Sequence, residues 1–192
     1  MTNTTQIILA SGSPRRKAFF EQMGFPFTQK VISIDEVFPK NLSGKAIVEY
    51  LVKLKAEPFK SIIKENELVI TADTIVWHKN KCIGKPNDKM EARQILSQLS
   101  DSTHQVITAV GFLQKNEWDS ICCISEVRFG KLSLQSIEEY IASGSPMDKA
   151  GAYGIQDSFG MLNINNIHGS YTNIIGLPVA QVLEKMQEIL KI

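Results

Sequence analysis

Two arginines follow a run of small residues near the start of the chain, in the string Ala-Ser-Gly-Ser-Pro-Arg-Arg at residues 10–16. The N–H groups and the dipole at a helix N-terminus bind anions, and small residues let a phosphate come close to the backbone. Arg15 and Arg16 can each donate paired hydrogen bonds to phosphate oxygens, whereas cations in a first helical turn oppose the dipole unless an anion is bound. The segment predicts a phosphate site; the alternative is an ordinary capped helix with solvated arginines.

An aspartate interrupts an apolar run, Leu-Val-Ile-Thr-Ala-Asp-Thr-Ile-Val-Trp at residues 68–77. Burying a carboxylate is costly unless the group is paired or binds a cation. A strand that ends and opens into a site at Asp73 and Thr74 would explain this composition. Asp73 is therefore predicted to be a general base for water, a metal ligand, or both. The alternative is a solvent-facing residue of an edge strand or an Asp that caps a turn.

Two lysines and a glutamine lie in surroundings that favour contact with a nucleotide. Lys55 occurs late in a predicted helix, and Lys85 is held between Gly84 and Pro86, so that either ammonium can point at a phosphate. The alternative for each lysine is a solvated surface position. Gln156 ends a glycine-containing string, and its amide offers one acceptor and two donors. That pattern complements the N3–H and O4 edge of uracil or thymine.

The segments that position these residues alternate short apolar runs with amphipathic stretches, which favours an α/β or α+β fold. Ser13 is predicted to cap a helix that begins at Pro14 and ends near Gly24. A second helix is predicted over 45–56, with Pro58 as its stop. The other predictions are strands over 6–10, 67–77, 82–83, 105–113 and 121–129, helices over 88–99, 133–141 and 178–190, and glycine-rich active-site loops between short strands over 148–176.

Composition limits the classes of function. With 192 residues, 43% of them hydrophobic, the chain is predicted to form one compact domain over residues 1–192. A formal charge of +1 argues against a broad nucleic-acid-binding surface. The sequence has no apolar run of the roughly 20 residues that span a bilayer, and the polar start, residues 1–6, has no signal-peptide pattern. Three cysteines cannot all pair, so a reducing cytoplasm is expected.

Taken in order, these segments resemble the Maf family of nucleoside triphosphate pyrophosphatases. Each matching string is weak alone, but the set follows the family's order along nearly the whole chain. The strings are LASGSPRR at 9–16, DE at 35–36, KA at 55–56, ADT at 72–74, GKP at 84–86, DKAGAYGIQ at 148–156 and IIGLP at 174–178.

The resemblance implies a mixed α/β fold similar to that of inosine triphosphate pyrophosphatases, a twisted sheet with flanking helices and two lobes around a deep cleft. It also implies hydrolysis of a nucleoside triphosphate between its α and β phosphates, in a house-cleaning role and with Mg²⁺ or Mn²⁺ as cofactor. Asp73 takes the role of proton acceptor, and Glu36 joins it as a metal ligand. The residues expected to bind the triphosphate are Ser11, Ser13, Arg15, Arg16, Lys55 and Lys85.

Arg15, Thr74 and Gln156 match the family branch that acts on dTTP and UTP, and they are expected to set the specificity. A sister branch that acts on 7-methyl-GTP is the alternative, and a nucleotide-binding regulator of cell division without turnover is another. A homodimer is also expected by similarity to the family. One departure is Ser145, which stands where the family usually has Glu, so this chain lacks a carboxylate at that position.

Overall fold

Regular structure forms at most of the positions that the sequence patterns predict. The computed structural model describes residues 5–191. The strands are β1 (Gln6–Leu9), β2 (Phe27–Gln29), β3 (Glu67–His78), β4 (Lys81–Ile83), β5 (Thr103–Leu113), β6 (Trp118–Phe129) and β7 (Ile164–His168). The α-helices are α1 (Pro14–Met23), α2 (Lys45–Lys60), α3 (Lys89–Leu99), α4 (Leu134–Ala142), α5 (Ser158–Asn163), α6 (Tyr171–Ile175) and α7 (Val179–Leu190).

The strands belong to one seven-stranded sheet, in which β2, β1, β3, β5, β6 and β7 follow one another and β4 pairs with β3. β1 runs parallel to both β2 and β3. β4 is antiparallel to β3, and β7 is antiparallel to β6. The predicted mixed α/β fold with flanking helices is therefore confirmed.

Helix α1 begins and ends as its sequence predicts. The Ser13 hydroxyl accepts the backbone N–H of Arg16, and Pro14 occupies the first turn, where its missing N–H costs no hydrogen bond. Gly24 ends the helix with φ of 76°, a left-handed conformation that favours glycine. Local sequence alone is sufficient to fix both ends of this helix.

The prediction that Pro58 stops helix α2 is wrong, because the helix continues to Lys60. A proline within a helix removes one backbone hydrogen bond. Here Phe59 is almost fully buried against Ala56 and Ile63 in an apolar cluster, and this burial stabilises the last turn of the helix. Packing therefore overrides the local preference of the proline.

Two further expectations need correction. Strand β3 confirms the predicted strand over 67–77 and ends at His78, so the expectation that a strand ends at Asp73 is wrong and the carboxylate lies within a regular strand. The segment over 148–176 is also more helical than predicted, since it contains α5, α6 and a 3₁₀ turn at Ala150–Ala152 around β7. Glycines at these positions allow close packing, because a Cβ at Gly160 would lie only 2.3 Å from the carbonyl oxygen of Gly154.

The described residues group into two compact units. Residues 5–73, 108–123 and 176–191 form the first unit, and residues 74–107 and 124–175 form the second. The prediction of a single domain stays a prediction. Within residues 5–191 no helix has both the length and the apolar character needed to cross a membrane.

The first unit is built around an apolar cluster that joins α1 and α7 to the sheet. Phe20 of α1 is fully buried and meets Phe27 edge to face, with ring centroids 5.6 Å apart. Val182 and Met186 of α7 belong to the same cluster and are fully buried. Burial of this size fixes the position of α1, and with it the string at residues 10–16 that is predicted to bind phosphate.

In the second unit, His104 lies in an aromatic cluster with Phe129 and Tyr153. The histidine is 2% exposed, and its Nε2 is 2.7 Å from the hydroxyl of Tyr153. Burial lowers the pKa of His104 from its ordinary value of 6.5 to about 3, and nearby His78 adds to the effect. The side chain is therefore neutral in the folded protein at neutral pH.

This buried histidine predicts an acid-sensitive stability. Because the folded-state pKa is depressed, the unfolded chain binds a proton between pH 6.5 and about pH 3 that the folded chain does not bind. Stability from this group is full above pH 6.5 and decreases by about 1.4 kcal/mol per pH unit as the pH falls through that window.

Urea unfolding at pH 7.5 and pH 5.5 measures the effect. We expect His104→Gln, which can still bond Tyr153, to lose less stability on acidification than the unsubstituted protein. His168→Gln, at an exposed position, is the control and should behave like the unsubstituted protein. An equal loss of stability in the His104 variant would contradict the assignment.

Candidate active site

The string at residues 10–16 turns the chain from β1 into α1: residues 10–13 connect the two elements, and residues 14–16 form the first turn of the helix. Ser11 is buried, and its hydroxyl accepts the backbone N–H of Ser13 at 3.3 Å. The side-chain amide of Gln29, on the neighbouring strand β2, donates to the carbonyl of Ser11 at 2.7 Å. These bonds hold the backbone that leads into the helix N-terminus in one conformation, as a phosphate-binding turn requires.

Arg16 connects this turn to two distant parts of the first unit. Its Nε donates to the carbonyl of Gly176 at 2.9 Å, and one terminal nitrogen donates to the carbonyl of Ala72 at 3.0 Å and to the Ser11 hydroxyl at 3.3 Å. Burial lowers the pKa of the guanidinium from its ordinary value, and the nearby Asp73 carboxylate opposes that shift. Arg16 therefore places a positive charge beside the strand residue that precedes Asp73.

Lys55 brings together the two predicted metal ligands. Its ammonium makes a close hydrogen bond to the carboxylate of Asp73 and lies 3.1 Å from the carboxylate of Glu36. Asp73 is 8% exposed, so the ammonium compensates a carboxylate within the sheet, whereas the side chain of Glu36 is 54% exposed. An ion pair with Lys55 therefore compensates the buried charge of Asp73. A strand end that exposes the carboxylate is not needed to explain its position.

The pairing of Lys55 with Asp73 was not predicted, although the sequence of helix α2 contains a signal for it. Leu51, Lys55 and Phe59 recur at intervals of four in α2, and both apolar members are buried. A lysine between buried residues on one helix face points toward the interior. A carboxylate in an apolar run requires a nearby cation, and Lys55 lies on the face of α2 that points toward the interior, where it can supply that charge.

The carboxylates near Lys55 are the candidate ligands of a divalent cation. Among residues 5–191 no group of three or more His, Cys, Asp or Glu side chains is arranged to hold a metal ion. Glu36 and Asp73 provide two carboxylates, each of which contacts the ammonium of Lys55 through one oxygen. Mg²⁺ is commonly held by one or two carboxylates together with water and substrate phosphates, so these two residues fit a cation that binds with a triphosphate.

The remaining predicted residues of the first unit lie around the same turn. Ser13 serves as the helix cap described above. Arg15 is half-buried in the first turn of α1, and its charge acts on Arg16, since it contributes to the lowered pKa of that group. With no acidic residue in the first turn of α1, the turn carries two adjacent cations and a helix N-terminus. Such a turn attracts an anion.

Three predicted residues belong to the second unit. Thr74 directly follows Asp73 in β3 and is half-buried, whereas Lys85 and Gln156 are exposed. The segments that carry Lys85 and Gln156 are connected, because the backbone N–H of Gly151 donates to the carbonyl of Gly84 at 2.9 Å. Gly151 has φ of 74°, the left-handed region that favours glycine.

Comparison with known proteins agrees with the resemblance seen in the motifs. A family model described as Maf-like protein matches residues 6–189. A dTTP/UTP pyrophosphatase of Flavobacterium psychrophilum is 49% identical over 93% of this chain and 91% of its own length. Proteins of the same name from Flavobacterium johnsoniae and Halalkalibacterium halodurans are 44% and 41% identical, over 93% and 94% of this chain and 92% and 94% of their own lengths.

Among solved structures, a HAM1 protein from Coxiella burnetii is 14% identical and has a TM-score of 0.46, covering 98% of this chain and 99% of its own. The family match spans almost the whole chain, and the sequence identities of the named relatives are high over more than nine tenths of it. This chain is a member of the Maf family.

Proposed function

We propose that this Maf protein is a nucleoside triphosphate pyrophosphatase that hydrolyses dTTP and UTP, and modified pyrimidine analogues, to the monophosphate and pyrophosphate. The observation that carries the proposal is the buried Asp73 carboxylate near Arg16, which pairs with Lys55, whose ammonium also lies 3.1 Å from the carboxylate of Glu36. Relatives named dTTP/UTP pyrophosphatase, up to 49% identical, support the same activity. A protein that only bound a nucleotide would not need a carboxylate in this position.

In the proposed reaction, Asp73 takes a proton from a water molecule whose oxygen attacks the α phosphorus. The bond from the α phosphorus to the oxygen that bridges it to the β phosphorus breaks in line, and pyrophosphate leaves. Backbone N–H groups of the turn, with Ser11, Ser13 and Arg15, bind the triphosphate. Positive groups near the leaving pyrophosphate stabilise its developing charge, which is commonly the largest catalytic contribution.

Lys55, Lys85 and Arg16 supply further positive charge in this proposal. Because Arg16 already donates to three acceptors of the protein, its main role is to hold the turn against the strand that carries Asp73. Glu36 and Asp73 would hold a divalent cation, Mg²⁺ or Mn²⁺. When bound, that cation neutralises negative charge on the triphosphate.

Recognition of the base is assigned to Gln156, with Thr74 in support. An exposed amide is open to a ligand, and a Gln side chain can accept from the N3–H of uracil while donating to O4. Cytosine has the opposite pattern at these two positions. An amide turned by about 180° would match cytosine, so the glutamine is expected to favour UTP over CTP when its amide is held in the orientation that matches uracil.

Replacing Gln156 with leucine tests this assignment. We expect the ratio of kcat/KM for UTP to that for CTP to fall by about 10- to 100-fold, the effect of losing two hydrogen bonds of ordinary strength. Pyrophosphate release is measured with Mg²⁺ and with Mn²⁺. Gln135→Leu, which changes an exposed glutamine of α4 in the second unit, is the matched control and should keep the ratio.

A panel of nucleotides with the unsubstituted protein separates the rival functions. Fastest release of pyrophosphate from dTTP and UTP supports the proposal. Preference for 7-methyl-GTP would assign the chain to the sister branch of the family. Stoichiometric binding of UTP without pyrophosphate release would identify a nucleotide-binding regulator. A cytoplasmic location and a homodimer stay predictions.

A further inference from the structure

Gln156 lies in the loop over residues 153–157, which is bonded to a cluster of polar side chains around Asp157. The Tyr140 hydroxyl donates to the Asp157 carboxylate, and the Ser145 hydroxyl donates to the same oxygen at 2.8 Å. The ammonium of Lys149 lies 3.7 Å from that oxygen, and the side chain of Asp157 is 25% exposed. The residue next to Gln156 in the chain is thus fixed by three partners.

Tyr140 reaches the loop on both sides of Gln156. Besides donating to Asp157, its hydroxyl accepts the backbone N–H of Gly154 at 3.1 Å. The ring is buried and stacks on Phe159 with centroids 4.3 Å apart, so it has little freedom to move. One hydroxyl therefore contacts residues 154 and 157, between which Gln156 lies, and it adds to the backbone bond from the N–H of Asp157 to the carbonyl of Gly154 at 3.2 Å.

The backbone at Gly154 also lies close to the carboxylate of Asp157. A Cβ at Gly154 would lie 2.8 Å from the carboxylate of Asp157, so the backbone there passes directly over the acid. Lys149 donates to the carbonyl of Ser145 and to the carboxylate of Asp148, both at 2.7 Å, and its positive charge lies 3.7 Å from Asp157. A polar network in which each group has a partner favours one geometry over others.

The pairing of Ser145 with Asp157 also accounts for Ser145 in this chain. A hydroxyl donates to the neighbouring acid, whereas a carboxylate at position 145 would repel it. The donors and acceptors of the network are thus matched. Its contacts with the loop that carries Gln156 are made to residues 154 and 157.

We propose that Asp157, acting with Tyr140, is a positioning residue that holds the Gln156 loop in the conformation that recognises the pyrimidine. The inference rests on the proposed role of Gln156. A loop ordered before the ligand arrives loses less conformational entropy on binding, so the gain appears in affinity for the correct base. Neither Asp157 nor Tyr140 is required to touch the substrate.

The experiment compares Tyr140→Phe and Asp157→Asn for hydrolysis of UTP and CTP. We expect KM for UTP to rise about 10-fold in both variants, kcat to change less than about 3-fold, and the UTP-to-CTP ratio of kcat/KM to fall about 10-fold. Partial unfolding lowers both rates equally and leaves the ratio unchanged. The ratio therefore distinguishes positioning from a merely structural role.

Two control variants match these changes. Tyr171→Phe removes an exposed hydroxyl from the second unit, and Asp101→Asn removes an exposed carboxylate that pairs with Arg128, at a left-handed position that Asn tolerates. Both controls should keep the ratio. Asp157→Asn, which preserves the shape of the side chain, keeps the test open if Tyr140→Phe fails to fold.

Each outcome decides between the two assignments. An unchanged ratio in both test variants, together with a reduced ratio in Gln156→Leu, would overturn the positioning role and leave base recognition by Gln156 intact. An unchanged ratio in Gln156→Leu itself would overturn base recognition, and the positioning role with it. A fall in all three variants, but in neither control, supports both.

Discussion

Replacing Asp73 with asparagine is expected to reduce turnover of UTP by about 10²–10⁴-fold, the usual cost of losing a general base. Asparagine keeps the shape of the side chain and can still bond the ammonium of Lys55, but it cannot take the proton of the attacking water. The loss should appear in kcat, with a smaller change in KM. Pyrophosphate release under saturating UTP measures it.

The control for this variant is Asp119→Asn. Asp119 is an exposed carboxylate of the same unit that pairs with Lys185 at 2.7 Å, so the change removes an equal charge from an ion pair at the surface. Its activity should match that of the unsubstituted protein. If Asp73→Asn keeps near-normal turnover while folded, Asp73 is not the base.

Replacing Lys55 with methionine is expected to lower the free energy of unfolding by about 3 kcal/mol, because it leaves a buried carboxylate without its counter-ion. The side chains of Lys55 and Asp73 are 16% and 11% exposed, so solvent compensates little of the lost charge. Methionine has a helix propensity close to that of lysine, and the helix itself should remain. Urea unfolding at neutral pH gives the value.

A second substitution isolates the ion pair from other effects. Adding Asp73→Asn to the Lys55 variant removes the unpaired charge, so the double variant should be more stable than Lys55→Met alone. Lys53→Met, at an exposed position of the same helix, should change stability by less than about 0.5 kcal/mol. Equal stability of the Lys53 and Lys55 variants would show that the pair does not stabilise the fold.

Several elements are predictable because neighbouring residues specify them. Ser13, Pro14 and Gly24 fix the ends of α1 through bonds and backbone preferences that act over at most four residues. Strand β4 follows a turn in which Lys79 and Asn80 both have positive φ, as a tight hairpin requires. In these segments local preference and tertiary packing favour the same structure.

Other predictions failed where packing outweighed local preference. Pro58 remains within α2 because Phe59 is buried beyond it. The strand predicted over 67–77 is correct, but the expected strand end at Asp73 is not, because Lys55 compensates the charge within the strand. The helical turns within 148–176 also lacked a clear periodicity in the sequence. Short helices of five or six residues depend on tertiary contacts more than on their own propensity.

Ordered motifs are sufficient to identify the family, and hydrophobic patterning is sufficient to indicate an α/β or α+β class, because both are properties of the linear chain. Which side chains meet depends on how the chain packs in three dimensions. Arg16 bonds the carbonyl of Gly176, 160 positions away, and Lys55 bonds Asp73, 18 positions away. Such contacts depend on how helices pack against a sheet, and hydrogen bonds and ion pairs form only over a few ångströms, a distance that sequence spacing does not encode.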